Sequence, residues 1–201
     1  MTAIMYRYPK LYNLAVRIIH GKSLKKRYEV IAEEIGENKK VFELGSGTAL
    51  VYTFLHKGCE YLGWDLNERF LRFCRKRGLK VVKKNIFDFE DYPDSDVVLI
   101  CDVLHHLVPN HEMLLVEALK RSKKLIVSEP AISGKPLEML KPLAVIFNYF
   151  LGDYDGINRP QSQLEWDYNE EKLKTFFQRL GCAKTISVGR DMIAVFDSSD
   201  A

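Results

Sequence analysis

The stretch VFELGSGTAL, residues 41–50, ends an apolar run with two closely spaced glycines. Its β-branched and aromatic residues predict a strand over residues 40–44. Gly45 and Gly47 then permit a sharp turn, because glycine adopts positive φ without steric cost. We expect a helical segment from this turn to about Lys57. Since open α/β sheets bind ligands beyond the carboxyl ends of their strands, the pattern predicts a ligand site here.

Strands and helices alternate along most of the remaining sequence. Apolar runs predict further strands over residues 60–65, 79–84, 96–101 and 125–127, and helical spacing predicts helices over 67–77, 111–121 and 169–180. Strands joined through helices form right-handed crossovers, which require a parallel sheet. Two final strands, 185–188 and 192–196, have only a short link between them, which predicts an antiparallel hairpin.

Composition indicates one soluble globular domain over residues 1–201. The chain is 47% apolar and 28% charged, with a formal net charge of +3, which is too mild to favour nucleic acid as a partner. Four cysteines lack C-x-x-C spacing, so we predict no metal site and a reduced, cytoplasmic setting. Charged residues interrupt the apolar region 137–151, so no transmembrane segment is expected, although contact with a membrane surface stays open.

Two parts of the domain stand apart from the alternating pattern. Residues 1–36 read as an N-terminal helical cap formed by two amphipathic helices. Residues 134–167 interrupt the pattern with glycines, prolines and many aromatic side chains. An insertion of this length in a compact domain is usually functional, so we expect a lid over the substrate.

An acidic residue follows the glycine turn at the end of the next predicted strand. Asp65 lies 18 residues after Gly47, at the end of the second predicted strand. A carboxylate there is well placed to accept hydrogen bonds from both hydroxyls of a ribose. The glycine turn and this carboxylate together predict a ligand that contains adenosine.

The motif Glu43-Leu-Gly45-Ser-Gly47-Thr resembles the first motif of class I S-adenosylmethionine-dependent methyltransferases, E/D-x-G-x-G-x-G. The similarity runs from about Val30 to Asp197 and includes the terminal hairpin. It implies an α/β, Rossmann-like sheet of seven strands in the order 3-2-1-4-5-7-6, with strand 7 antiparallel and helices on both faces. It also implies S-adenosylmethionine as the methyl donor and S-adenosylhomocysteine as the product.

The resemblance also assigns roles to individual residues. It places cofactor contacts at Tyr12, Glu43, Gly45, Ser46, Gly47, Asp65, Leu66, Asn85, Ile86, Cys101 and Asp102. Two positions depart from the family pattern, since Ala49 stands where the third glycine is usual and Asn85 where an acid is usual. An asparagine still accepts a hydrogen bond through its amide oxygen.

The segment Asp102-Val-Leu-His105-His106 resembles the D-V-L-H-D stretch of small-molecule O-methyltransferases, in which the histidine is the general base. His105 is the matching catalytic candidate, and a pocket wall or simple packing are its alternative roles. The substrate candidates are the second histidine and three aromatic residues of the insertion: His106, Phe147, Tyr149 and Tyr154.

The absence of certain motifs narrows the range of methyl acceptors that we expect. No Asn/Asp-Pro-Pro-aromatic sequence follows the fourth strand, so N-methylation of an adenine or a glutamine amide is not expected, and no Pro-Cys pair occurs, which argues against a cytosine C5 mechanism. Lys22, Lys25, Lys26 and Arg27 form a charged run, which is usually a solvated helix face. We therefore predict a small-molecule or lipid-like acceptor. An RNA methyltransferase and a non-catalytic protein that binds S-adenosylmethionine are the alternatives.

Overall fold

The computed structural model describes residues 3–131, 157, 162 and 165–197. Seven strands form one sheet in the order β3-β2-β1-β4-β5-β7-β6, as predicted. The strands are β1 (Lys40–Leu44), β2 (Glu60–Asp65), β3 (Val81–Lys83), β4 (Val97–Cys101), β5 (Lys124–Pro130), β6 (Lys184–Val188) and β7 (Asp191–Asp197).

The pairing of the strands confirms the predicted mixture of directions. Strands β1 to β5 pair in parallel, with Phe42 of β1 opposite Val98 of β4. Strand β7 runs antiparallel between β5 and β6, and Leu125 faces Phe196 in its register. The terminal hairpin therefore completes the sheet, and the carboxyl ends of β1, β2 and β4 meet at one edge.

Five α-helices accompany the sheet in the described ranges. They are α1 (Pro9–His20), α2 (Ser23–Ile35), α3 (Glu68–Arg75), α4 (His111–Lys120) and α5 (Glu170–Arg179). Asn67 caps α3, because its side chain accepts hydrogen bonds from the amides of Arg69 and Phe70. None of the helices in this part of the chain is long and apolar enough to cross a membrane.

The helix predicted between the glycine turn and Lys57 is wrong. A single 3₁₀ turn, Val51–Phe54, takes its place, and the backbone is extended again at Leu55. All four residues of the turn are β-branched or aromatic, types that lose side-chain freedom in a helix.

Two apolar layers lie on opposite faces of the sheet. In β1, Phe42 and Leu44 pack into a core that includes α4 and α5, whereas Val41 packs into a core that includes α2 and α3. Alternate residues of a strand point to opposite faces, so the helices cover both faces. The predicted domain, its cap (1–36) and its lid (134–167) stay predictions, and most of the lid lies outside the described residues.

Candidate functional site

A cleft of about 710 Å³, including its open mouth, lies at the edge where β1, β2 and β4 end. It brings together eight of the predicted cofactor residues: Tyr12, Gly45, Gly47, Asp65, Leu66, Asn85, Ile86 and Asp102. The rest of its lining is Tyr6, Asn67, Phe70, Phe87, Val103, His106, Leu107 and Ile157.

The glycine turn forms one wall of this cleft. Gly45 has φ of 68°, and a Cβ at this position would lie 2.5 Å from Cγ2 of Val103. Gly47 has φ of 53° and donates its amide hydrogen to Oδ2 of Asp65 at 2.7 Å. Ala49 also has φ of 53°, which explains why glycine is usual at its position in the family motif. The backbone itself therefore lines the cleft.

Asp65 is held firmly at the end of β2. Its Oδ1 accepts the amide hydrogen of Asn67 at 2.7 Å, and its Oδ2 accepts that of Gly47 at the same distance. Both bonds come from the backbone, so the turn and the start of α3 fix the carboxylate in place. Each carboxylate oxygen has two lone pairs, so a carboxylate can accept more than two hydrogen bonds.

Three predicted cofactor residues do not line the cleft. Glu43 is 4% exposed and accepts a hydrogen bond from the hydroxyl of Tyr61. Burial raises the pKa of Glu43 to about 8, which favours its neutral form at pH 7. Ser46 is buried, and Cys101 is half-buried with the pKa of its thiol raised by desolvation. Contact of these three residues with a cofactor stays a prediction.

Three of the predicted cofactor residues follow the neighbouring strands β2 and β3. Leu66 is 37% exposed at the end of β2, and Asn85 and Ile86 follow β3. The amide oxygen of Asn85 accepts the amide hydrogen of Phe87 at 3.1 Å, which fixes this loop. These residues therefore line the same cleft as Asp65.

An aromatic cluster from the N-terminal segment borders the cleft. The ring of Tyr12 lies 5.4 Å from that of Tyr6 and 4.9 Å from that of Phe70, between centroids. Beside it, the hydroxyl of Thr48 donates to Oδ1 of Asn13 at 2.6 Å, which ties α1 to the glycine turn. The segment before the sheet therefore helps to build the site.

A buried ionic network lies behind the cleft. Arg27 is fully buried, so its prediction as part of a solvated basic face is wrong. Its Nε donates to Oγ of Ser128 at 2.8 Å, and one Nη donates to Oδ2 of Asp102 at 2.9 Å. Its other Nη lies 3.6 Å from Oδ2 of Asp191, which is also 2.9 Å from Nδ1 of His20.

This network positions Asp102 at the cleft. Asp102 has φ of 55°, follows β4 and lines the cleft beside Val103. Burial would raise the pKa of Asp102, but the neighbouring groups, of which Arg27 has the largest effect, together outweigh burial and lower the pKa. His20, Asp102 and Asp191 converge within 4.8 Å, and the guanidinium already supplies the positive charge between the two carboxylates.

A carboxylate from β5 organises the loop that carries the predicted catalytic residue. Glu129 is fully buried, and its Oε1 accepts the amide hydrogens of Val103 and Leu104, each at 2.7 Å. Its Oε2 lies 2.7 Å from Nδ1 of His105. Because a carboxylate only accepts, Nδ1 carries the hydrogen and the neutral imidazole has its lone pair on Nε2.

The two histidines of this loop have different positions. His105 is 7% exposed and does not line the cleft. His106 does line it, and the two imidazole centroids are 4.3 Å apart. The other substrate candidates, Phe147, Tyr149 and Tyr154, lie outside the described residues.

A family model described as "Methionine biosynthesis protein MetW" matches residues 25–135, which is more than half of the chain. The chain belongs to the MetW family. The matched range contains the glycine turn, Asp65, Asp102 and Glu129. No curated protein matches the chain significantly.

Solved structures share the fold of this MetW family chain at low identity. An O-methyltransferase family protein from Burkholderia thailandensis has a TM-score of 0.59 and 15% identity, covering 86% of this chain and 55% of that one. The CurJ carbon methyltransferase has a TM-score of 0.64 and 15% identity, covering 93% and 58%. The 16S rRNA methyltransferase RmtF, in complex with S-adenosyl-L-homocysteine, has a TM-score of 0.52 and 16% identity, covering 90% and 63%.

The chain therefore has the fold of class I S-adenosylmethionine-dependent methyltransferases, and it spans little more than half the length of the first two structures. Sequence reasoning missed two residues that organise the site of this MetW family member. Arg27 stands in a run of lysines, and Glu129 lies two residues beyond the strand predicted over 125–127. The one available signal was that Glu129 closely follows this apolar run, where a buried carboxylate needs partners.

Proposed function

We propose that this chain binds S-adenosylmethionine in the cleft and transfers its methyl group to a hydroxyl of a small or lipid-like acceptor. The observation that carries the proposal is the carboxylate of Asp65. It is fixed by the amides of Gly47 and Asn67 at the end of β2, on a cleft whose glycine wall excludes a side chain. That arrangement suits a ribose whose two hydroxyls point at one carboxylate.

The residues present fit the cofactor. Asp65 would accept the ribose hydroxyls, while Leu66, Asn85 and Ile86 would border the adenine. Asp102 would face the methionine end, because it lies across the cleft after β4 and its carboxylate keeps its charge beside Arg27. A neighbour of the same fold is known in complex with S-adenosyl-L-homocysteine, which supports this assignment.

The cofactor supplies a methyl group on a sulfonium, whose leaving group is already neutral. The chain therefore contributes mainly by positioning the two reactants, an effect worth up to roughly 7–11 kcal/mol in model systems. A hydroxyl acceptor must also lose its proton, and a placed base adds roughly 10²–10⁴-fold. The Glu129–His105 bond fixes the tautomer in which Nε2 is the basic nitrogen of the neutral imidazole, and we assign the role of this base to His105.

Apolar groups on the acceptor side support a small or lipid-like molecule. Val103 and Leu107 line this wall, and His106 adds a polar group between them. Both an O-methyltransferase and a carbon methyltransferase share the fold, in agreement with a small-molecule acceptor. A screen that measures labelled methyl transfer into separated lipid, RNA and metabolite fractions tests this part of the proposal. Label in RNA alone, or in no fraction, would contradict it.

Binding of the product gives the first test of the cofactor site. We expect S-adenosylhomocysteine to bind and to stabilise the fold by mass action, by about 2.7 kcal/mol at a concentration 100 times its Kd. Calorimetry and thermal melts measure the two effects. NADH, which shares the adenosine, is the control and should bind far more weakly. If the folded chain does not bind S-adenosylhomocysteine, the cofactor assignment is wrong.

A second test concerns Asp65. The substitution Asp65→Asn keeps one acceptor oxygen but removes the charge and half of the acceptor capacity. We expect it to weaken S-adenosylhomocysteine binding by about 1.5–3 kcal/mol, the worth of hydrogen bonds to a charged group. Asp88→Asn is the matched control, because Asp88 is exposed and does not line the cleft.

The ligand can be varied to identify the group that Asp65 contacts. The wild-type chain should bind adenosine more tightly than 2′,3′-dideoxyadenosine, and Asp65→Asn should largely abolish this preference. An undiminished preference in the variant would show that Asp65 does not contact the ribose.

A further inference from the structure

The positive charge of the chain is concentrated in its first 28 residues. They contain seven Lys or Arg and no Asp or Glu, whereas the rest, with 23 basic and 27 acidic residues, has a net charge of −4. Arg27 is buried, and the other six basic residues are exposed: Arg7, Lys10, Arg17, Lys22, Lys25 and Lys26. The N-terminal segment is therefore a cationic surface on a chain whose remaining residues are weakly acidic.

Helix α1 also exposes large apolar side chains. Leu14 is 53% exposed and Ile18 is 71% exposed, and they lie one turn apart on the same side of the helix. Lys10 and Arg17 lie beside them on this outer face, at spacings of three and four residues. We call these four residues the outer face of α1.

We propose that the outer face of α1 docks on a membrane surface rich in anionic phospholipid. A helix that lies in the interface of a bilayer inserts an apolar strip among the acyl chains and presents Lys and Arg to the headgroups. The outer face supplies both parts, and the neighbouring exposed lysines add charge complementary to anionic lipid. This proposal goes beyond methyl transfer and does not depend on it.

Two other occupants fit the outer face less well. RNA would use the basic residues, but the exposed Leu14 and Ile18 have nothing to contribute to a phosphate backbone. A second copy of the chain in a two-fold dimer would bring Lys10 and Arg17 near the same two basic residues of the other copy, and like charges repel. An anionic bilayer uses the apolar and the basic groups together.

The position of α1 gives docking a consequence for the cleft. Tyr12 lies on the opposite side of α1 and lines the cleft, and Asn13 bonds to Thr48 of the glycine turn. One helix therefore connects the proposed docking surface to the binding site. A docked chain would hold this rim of the cleft near the bilayer, where a lipid-like acceptor is found.

Vesicle sedimentation tests the proposal without cofactor or acceptor. The full chain should bind vesicles of phosphatidylcholine mixed with phosphatidylglycerol, and should bind pure phosphatidylcholine much more weakly. The double variant Leu14→Ser/Ile18→Ser should lower the partition constant by about tenfold or more. Lys22→Ala/Lys26→Ala should lower it by about 25-fold, since each basic residue near an anionic surface is worth about fivefold.

The matched control is Val82→Ser/Met113→Ser, which removes exposed apolar side chains from β3 and α4. It should bind vesicles like the wild type. Equal binding by the wild type and the Leu14/Ile18 variant would overturn the proposal, as would RNA binding with no vesicle binding. If the wild type is a dimer and the Leu14/Ile18 variant is a monomer, the outer face mediates self-association and the proposal is overturned. S-adenosylhomocysteine binding, measured in parallel, should be unchanged in every variant, so failure of docking is distinct from failure of the cofactor site.

Discussion

Replacing Arg27 with methionine should lower the free energy of unfolding by about 3–5 kcal/mol, because removal of one partner from a buried ionic group leaves the other charges uncompensated. Asp102 would lose its 2.9 Å bond, and the fully buried side chain of Asp191 would lose its nearest guanidinium. Such a loss is large against the 5–15 kcal/mol that is usual for a domain, yet it leaves a folded protein to measure. Urea unfolding, followed by circular dichroism, gives the value.

The matched control is Arg179→Met. Arg179 donates to Glu112 at 2.8 Å, a length like that of the Arg27–Asp102 bond, but both side chains are largely exposed. An exposed ion pair contributes about 0–1 kcal/mol, so this variant should unfold almost as the wild type does. If the two variants lose the same stability, the buried network is not a structural anchor.

The charge of the partners can be removed together with that of Arg27. The triple variant Arg27→Met/Asp102→Asn/Asp191→Asn removes the charge of Arg27 together with those of both carboxylates, so much of the lost stability should return. Its affinity for S-adenosylhomocysteine should still be reduced, because Asp102 lines the cleft and would no longer carry its charge. Recovery of stability without recovery of binding would separate the contribution of the network to folding from its contribution of a charged Asp102 to the cleft.

The effect of Arg27→Met should also depend on pH. Arg27 lowers the pKa of Asp102 in the folded chain, so this carboxylate contributes stability above its ordinary pKa and loses it as the pH falls. The variant lacks that contribution. The difference in unfolding free energy between wild type and variant should therefore shrink as the pH falls below about 4, the ordinary value for an aspartate.

The sheet could be predicted from the sequence because each strand has its own local signal. The run from Lys40 to Leu44, the turn at Gly45 and the carboxylate of Asp65 are close in sequence, and a parallel sheet brings strand ends to one edge. The order of the strands came from the family resemblance, since periodicity alone gives no order. Local signals and topology together account for most of the cleft.

The buried network around Arg27 could not be predicted, because it depends on contacts between residues far apart in the sequence. Arg27 stands 101 residues from Ser128 and 75 from Asp102, and only the packing of α2 on the sheet shows that it is buried. By composition it belongs with Lys25 and Lys26, which are exposed. The helix predicted to Lys57 does not form, because residues 51–54 are all β-branched or aromatic and have low helix propensity.

Converting Glu129 to glutamine should lower kcat for a hydroxyl acceptor by about 10²–10⁴-fold, the worth of a placed base. The amide oxygen of glutamine still accepts from Val103 and Leu104, but its NH₂ group faces Nδ1 of His105 and donates to it. The imidazole then carries its hydrogen on Nε2 and has no lone pair for the substrate proton. The change reverses the tautomer while it keeps the shape.

Steady-state kinetics with the acceptor identified by the screen measures this effect. His105→Gln should lower kcat to a similar extent, and both variants should bind S-adenosylhomocysteine within about twofold of the wild type, because neither residue lines the cleft. The matched control is His111→Gln, in which another buried histidine, bonded to Tyr168 at 3.0 Å, is changed away from the cleft. A wild-type kcat in Glu129→Gln would show that His105 only supports the wall beside His106. Although His105 is buried here, catalytic contacts often tighten only when substrates bind, so kinetics decides between the two roles.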